Sequence, residues 1–445
     1  MHQVFLTVDL GFGDAGKGSI VDCLTQTYDA HTVVRYNGGA QAGHRVVMDG
    51  ATPQDHVFAQ FGSGTLAGAN THLARYMLLE PLAMMAEAQH LRALGVRDAF
   101  QRTTIDARAL VITPFQRAAN RLRELVRGDQ RHGSCGMGIG ETMSDALTYG
   151  ENVLHVGDLT NPDRLYTKLA FLRKVNLAKM PVQCRALTQT ASVVAELELL
   201  TDPSWADWLM AAYQTFAAQA QIVTGDYLDD LLAQPGTVIF EGAQGVLLDE
   251  WAGFHPYTTW STTTLANAHT LLAEARYTGH VTQVGITRAY ATRHGAGPFV
   301  SEDATLTHAL PDACNSFGAW QQGFRAGWLD LVMLRYALQT VGPLDYLAVT
   351  CLDRLAALPA LQVCRQYDHA TGVLDQITPS PTPRDLAYQA QLTHTLAHCQ
   401  PRLESVTDPR ALLALISAAL SLPVGLISTG PTASDKQFLR QSTNK

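Results

Sequence analysis

The chain is poor in charge. Only 16% of its 445 residues are Asp, Glu, Lys or Arg, against about a quarter in ordinary globular domains. With 47% hydrophobic residues it can bury a large core, and the thin charge fits a surface partly covered by a second subunit. It has no basic excess: 32 Lys and Arg stand against 40 Asp and Glu, a net charge of −8. That disfavours a general nucleic-acid binder and a protein held on anionic membrane, leaving room only for a local basic pocket. The seven cysteines include no C-x-x-C pair, so there is neither a disulfide framework nor a zinc ribbon, and scattered thiols suit a reducing compartment. Long apolar runs are absent too. The most apolar stretch, Ala411 to Ile427, is broken by Pro423 and Gly425 and falls short of the ~20 residues of a spanning helix. It reads as a buried helix, a turn and a buried strand. Asp9 stands where a secretory leader would need apolar residues. The expectation is a cytoplasmic protein without membrane or nucleic-acid partners.

What is present alternates. Val4–Val8 is an apolar run suited to a buried parallel strand. The glycine-rich Gly11–Gly18 follows, then helical spacing over Ser19–Thr27, then a second strand at Thr32–Val34. This is the start of a βαβ unit. Further strands are expected at Leu110–Ile112, Thr237–Phe240, Val281–Ile286, Leu347–Val349 and Val424–Ile427. Helices are expected at Leu78–Leu94, Pro114–Val126, Asp163–Leu177, Trp328–Gln339, Arg384–His398 and Pro409–Leu420. Such alternation predicts an α/β fold, with helices flanking a large, mostly parallel central sheet. Length alone suggests roughly three domains, but no boundary is visible. The expectation is a single domain over 1–445 with a helical insertion around 187–232. Trp205, Trp208, Tyr213, Met77, Met84 and Met85 read as core, Asp249 and Glu250 as a solvated turn, and His132, His255 and His294 as surface or core residues.

Gly11 to Ser19 fits G-x-x-x-x-G-K, a P-loop-like sequence whose backbone N–H groups and lysine cradle phosphates at a helix N-terminus. Lys17 is the only lysine before Lys168. The position after it is Gly18, where an ordinary loop of this type has Ser or Thr to bind Mg²⁺. Asp14 lies inside the loop, where a carboxylate beside phosphates is repelled unless a cation or a proton transfer offsets it. The loop therefore points to chemistry as well as binding. A second glycine cluster, Arg35 to His44, follows the second strand. Both clusters should lie at the carboxyl ends of parallel strands, where open α/β sheets bind ligands. His44, opposite Asp14, would serve as a proton donor or an oxyanion stabiliser.

These residues resemble the adenylosuccinate synthetase family. Gly13-Asp14-Ala15-Gly16-Lys17-Gly18 is similar to its phosphate loop, and Arg35-Tyr36-Asn37-Gly38-Gly39 with Ala42-Gly43-His44 to its second glycine cluster. The likeness runs on in order through Gly133–Gly140, Val156–Leu159, Glu241–Gly245, Pro256–Thr259, Ala289–Arg293 with Gly295–Phe299, Gly327–Asp330, Thr350–Asp353 and Ser428–Pro431. The resemblance implies a GTP- and Mg²⁺-dependent ligase that phosphorylates O6 of IMP and joins L-aspartate. It implies Asp14 as the base and a Mg²⁺ ligand, the Gly43 backbone as a second ligand, His44 as the acid, and Lys17 as a third catalytic group. GTP would contact Gly13 to Ser19, Gly43, His44, Arg45, Cys351, Asp353, Ser428, Thr429 and Gly430. The monophosphate would lie against Gln41, Ala42, Ser134, Cys135, Gln244 and Thr259. The amine substrate would meet Arg293, Trp320, Gln321, Gln322, Gly323, Phe324 and Arg325. A homodimer is expected from the resemblance alone.

The sequence also departs from the family pattern. Of the arginine run before Gly327-Trp328-Leu329-Asp330 only Arg325 survives, and Trp320 and Phe324 suit a less charged or larger amine. Gln41, Ser134, Cys135 and Met137 replace Asn, Thr, Thr and Arg around the monophosphate. Cys351 replaces Lys in the guanine motif. Three readings follow: the family's own reaction, the same activation chemistry with another amine or another 6-oxopurine-type nucleotide, or a GTP-binding regulator without ligation.

Overall fold

The computed structural model describes residues 2–50, 54–128, 131–180, 184, 190–312, 315, 320 and 323–439. Ten strands form the main sheet: β1 (His2–Asp9), β2 (Ala30–Arg35), β3 (Asn70–Leu73), β4 (Thr103–Asp106), β5 (Gln221–Val223), β6 (Gly236–Glu241), β7 (His280–Arg288), β8 (Tyr346–Thr350), β9 (Val424–Ser428) and β10 (Lys436–Phe438). Their spatial order is β10-β9-β8-β7-β1-β6-β2-β3-β4-β5. Each neighbouring pair is parallel except the terminal β9–β10 pair. The expected large, mostly parallel sheet is present.

β1 lies at the centre, buried on both faces. Val4, Leu6 and Val8 enter one core with Val34, Phe240 and the helices Tyr227–Ala233 and Leu331–Val341. Phe5 enters another with Ile20, Val21 and Leu24 of the helix Lys17–Thr27. A strand covered on both sides must be apolar at odd and even positions alike, hence its unbroken run.

Several expectations needed correction. The helix expected from Leu78 starts at Pro81, with the Glu80 carboxylate accepting from the Ala83 N–H as its N-cap, because Leu78–Leu79 pairs instead with Leu110–Val111 in a short ladder outside the main sheet. The helix expected from Trp328 starts at Leu331, capped by Asp330, whose carboxylate accepts from the N–H groups of Val332 and Met333. The strands β3, β4 and β5 had no visible sequence signal. β3 and β4 bury polar side chains against each other, His72 to the Thr104 hydroxyl at 3.0 Å, so no apolar run marks them. The segment around 187–232 carries the helices Ala191–Thr201 and Trp205–Gln219 and then β5, the edge strand of the sheet. Trp205 and Tyr213 are buried as expected, but Trp208 is 37% exposed. Asp249 is not solvated: its buried carboxylate accepts from the N–H groups of Trp251, Ala252 and Thr263 and shapes the loop between them. Among the described residues no helix is long and apolar enough to cross a membrane, and the six described cysteines are free thiols.

Candidate active site

Six strands deliver the motif loops to one edge of the sheet. β1 ends at Asp9 before the phosphate loop, β2 at Arg35 before the second glycine cluster, and β6 at Glu241 before Gly242–Gly245. β7 ends at Arg288 before Ala289–Arg293, β8 at Thr350 before Cys351 and Asp353, and β9 at Ser428 before Thr429 and Gly430. Parallel neighbours put all six carboxyl ends together.

The phosphate loop is tied down from below by Asp9. Its carboxylate accepts from the N–H groups of Gly11 (2.8 Å) and Ala15 (3.0 Å) and from Lys17 Nζ (2.8 Å). Lys17 Nζ also donates to the Gln244 carbonyl at 2.7 Å, so the buried lysine has two of its three donors engaged. Gly16 adopts φ 87°, a left-handed conformation that suits glycine, just before the helix starts at Lys17. Ser19 hydroxyl donates to the Gly16 carbonyl, and Thr350 hydroxyl to that of Ala15 at 2.7 Å. Gly18, the anomaly of the loop, has a steric cause. A Cβ there would lie 2.8 Å from His44 C and 2.9 Å from the Arg45 carbonyl oxygen. Any serine or threonine would push away the segment that carries His44.

His44 is buried, and its Nδ1 lies 2.6 Å from Glu241 Oε1. The Ser63 N–H donates to the other carboxylate oxygen at 3.0 Å, its hydroxyl to Oε1, and Arg35 Nε lies 4.0 Å away. Burial opposes charge on Glu241, yet His44, Arg35 and Ser63 together hold its carboxyl below the usual range. Burial pushes the His44 imidazole down, against the pull of Glu241. The negative charge therefore resides on Glu241, with Nδ1–H of His44 donating to it and Nε2 as the nitrogen it leaves unengaged.

Asp14 sits at φ 61°, half-buried, with its main-chain carbonyl accepting from Arg288 Nε at 2.5 Å. Its carboxylate lies 3.8 Å from His294 Nε2. Gln244 Nε2 donates to the Thr259 hydroxyl at 2.7 Å, and Gln244 Oε1 is buried without a partner. Both amide atoms of Gln41 are likewise buried and unpartnered, beside Ala42. Ser134 hydroxyl exchanges hydrogen bonds with the Asn120 amide, and burial pushes the neighbouring Cys135 thiol up. Gly43 is exposed; Arg45 pairs with Asp55 at 2.7 Å on a surface hairpin. At the far end Cys351 is half-buried in a left-handed turn (φ 60°) and Asp353 is exposed. Ser428 hydroxyl donates to the Gly430 carbonyl at 2.9 Å. Lys436 Nζ donates to the carbonyls of Gly430 and Thr432, pinning the loop that contains Thr429.

The amine-loop residues are arranged differently. Arg293 is buried over the Phe12 ring at 4.1 Å and donates to the carbonyls of Ala296, Pro298 and Tyr257. Burial lowers its guanidinium to about 9. Arg325 pairs with Glu302 at 2.5 Å and donates to the carbonyls of Gly295 and Gly297. Trp320 lies beneath the Arg121 guanidinium at 5.3 Å. The Gly323 carbonyl accepts from Gly295, and Phe324 packs edge-on to His294. Gln321 and Gln322 lie outside the described residues.

The roles of Asp9, Ser63, Glu241 and Arg288 at the site are not evident from the local sequence. Asp9 and Glu241 did leave a signal, each being an acid that closes an apolar strand at the ligand-binding edge. Ser63 left none. Arg288 was overlooked beside the Ala289–Arg293 motif.

The family model for adenylosuccinate synthetase matches residues 7–436. The chain belongs to the adenylosuccinate synthetase family. It is 33% identical over 432 residues to the adenylosuccinate synthetase of Chlorobium limicola, covering 94% of each chain. It is 31% identical to that of Thermoplasma acidophilum, over 81% of this chain and 78% of the relative. The fully ligated adenylosuccinate synthetase of Plasmodium falciparum has the same fold, with a TM-score of 0.77 at 21% identity over 98% of this chain and 100% of that one. A succinoaminodeoxyadenylate synthetase of cyanophage S-2L, solved with dGMP and dATP, is more distant: TM-score 0.60, 15% identity, 99% and 96% covered. Members of the family are GTP-dependent ligases that form a C–N bond, and this chain is one of them.

Proposed function

We propose that the enzyme condenses IMP with L-aspartate, converting GTP to GDP and phosphate and releasing adenylosuccinate. The observation that carries this reading is the placement of Asp14 and the Glu241-backed His44 on adjoining loops around one phosphate loop. Asp14 removes the proton from purine N1, raising electron density on O6. O6 attacks the γ-phosphoryl of GTP. His44, its Nδ1–H held by Glu241, takes up a proton on Nε2 once the nucleotide phosphates lie against it, and donates from Nε2 to the charge that develops there. Lys17 exchanges Asp9 for the nucleotide phosphates. The aspartate amine then displaces phosphate from C6. Asp353 and the Ser428–Gly430 loop hold guanine, and Gln41, Gln244 and Thr259 hold IMP through polar atoms of which several are now unpartnered.

The residues fit a hard cation. The Asp14 carboxylate is partly exposed beside the loop, and a Cβ at Gly43 would meet only Val57, so its backbone is open. Mg²⁺ held by Asp14 and the Gly43 carbonyl would neutralise charge on the γ-phosphate. We further expect a cytoplasmic homodimer.

A second reading is supported by Arg293 and Arg325, whose guanidinium groups are engaged by backbone carbonyls and Glu302. A dicarboxylate wants free, preferably bidentate donors; an amine with fewer charges would need none. Phosphate release from GTP with Mg²⁺ and IMP, with and without L-aspartate, tests both readings. Aspartate-dependent release with the purine absorbance shift is expected. GTP binding without aspartate-dependent release sinks the first reading and sends the search to other amines.

A further inference from the structure

The short strands Ala291–His294 and Phe324–Gly327 pair antiparallel, with His294 directly opposite Phe324. Residues opposite each other point to the same face, and the two rings meet edge-to-face with centroids 4.9 Å apart. This sets the imidazole against the phosphate loop. Its Nε2 lies 3.0 Å from Asn315 Oδ1 and 3.8 Å from Asp14 Oδ2. An amide oxygen only accepts, so Nε2 carries the proton. Nδ1 is then a lone pair, buried and without a partner. Leaving such an atom unpaired disfavours folding, and a group kept in that state calls for an explanation in function. Asp14 supplies one. Its backbone is fixed by Arg288, but among the described residues no hydrogen bond holds its carboxylate, and His294 is its one ionic neighbour within 4 Å.

We propose that His294 is a positioning residue for Asp14. Its Nε2–H, bonded to Asn315 at 3.0 Å, stands 3.8 Å from the Asp14 carboxylate, an electrostatic contact that tightens to a hydrogen bond when substrate binds and then holds that carboxylate in one rotamer. The ring contact with Phe324 ties the same rotamer to the strand that begins at the end of the amine loop. The orientation of the base is thus coupled to the seating of the loop that receives the nucleophile. This role rests on Asp14 being the base of the reaction proposed above.

Two substitutions test it. His294→Leu keeps the bulk and removes the donor; His294→Gln keeps an N–H at a similar reach. With GTP, IMP and L-aspartate, His294→Leu lowers kcat by about tenfold or more, the scale expected of a misplaced group, while KM for GTP stays within about twofold. His294→Gln recovers most of the loss. An unchanged kcat in His294→Leu, or equal loss in both variants, overturns the proposal. A substrate-free readout separates it from the choice of reaction. In protein labelled with ¹⁵N-histidine, the ring signals missing from His294→Gln belong to His294, and Asp14→Asn should move them. If they stay in place the contact does not exist, whatever the enzyme turns over. If the wild type makes no adenylosuccinate while those signals do move, the proposed reaction fails and the positioning contact stands.

Discussion

Around the phosphate loop, each buried charge faces another side chain: Lys17 faces Asp9, His44 faces Glu241, and Glu241 faces Arg35 and Ser63. Around the amine loop the arginines face the main chain, Arg293 with three carbonyls and Arg325 with two and Glu302. The first arrangement is a set of exchangeable partners, in which a ligand phosphate can take the place of a carboxylate on the lysine while Asp9 keeps the N–H groups of Gly11 and Ala15. The second is a scaffold, in which each guanidinium stitches a loop together and leaves only by unsealing it. In the proposed reaction the chemistry is held in the first region, and the freedom to change substrate lies in the second.

That contrast can be broken most directly at Asp14. Asp14→Asn should lower kcat by about 10³-fold, within the range for a lost general base, with GTP binding retained by fluorescence titration. Residual turnover near wild type would remove the base from the phosphate side altogether. Next in size, Glu241→Gln should lower kcat by about 10²-fold and destabilise the fold by about 3 kcal/mol, since a buried pair loses one member; denaturant unfolding reads the second effect. A kcat loss without a stability loss would mean that Glu241 acts only on His44.

On the amine side the expected effect is smaller. Arg325→Gln should raise KM for L-aspartate about tenfold, or roughly 1.4 kcal/mol, with KM for GTP unchanged. A rise of a thousandfold would show that Arg325 leaves Glu302 to bind substrate directly, and would make the amine loop as exchangeable as the phosphate loop. The smallest effect is on pH dependence of stability. Burial lowers His44 and His72 each to about 4 from an ordinary 6.5. A base whose folded pKa is depressed binds fewer protons folded than unfolded, so its stabilising neutrality is complete above about 6.5 and lost as pH falls toward 4. Tm should drop by several degrees over that window. His72→Gln, which leaves the active site untouched, should flatten part of the slope; an identical slope would place the titration elsewhere.

Much of this was legible in the sequence, for reasons that differ by element. β1, β6, β7, β8 and β9 are apolar because both their faces are covered, and their runs stand out. The phosphate loop is legible because backbone geometry demands its glycines. β3 and β4 are illegible because His72 and Thr104 satisfy each other across the ladder, a pairing that no single strand reveals. Glu241 was visible as part of a motif but not as the partner of His44, since 197 residues separate them. His294 lies beside a named motif, yet its contact with Asp14 depends on the pairing of two four-residue strands. Such contacts are set by tertiary placement and carry no local spacing.

The Asp9–Lys17 pair gives the phosphate loop a resident anion. The loop is never a bare cation waiting for any phosphate, because a carboxylate of its own already sits on the ammonium. Nucleotide entry is then a swap, not a capture: an incoming anion must bring enough further contacts, base and ribose included, to displace one that is covalently part of the chain. Inorganic phosphate and small anions bring too few, so the enzyme should stay open for its substrate amid the salt of its surroundings.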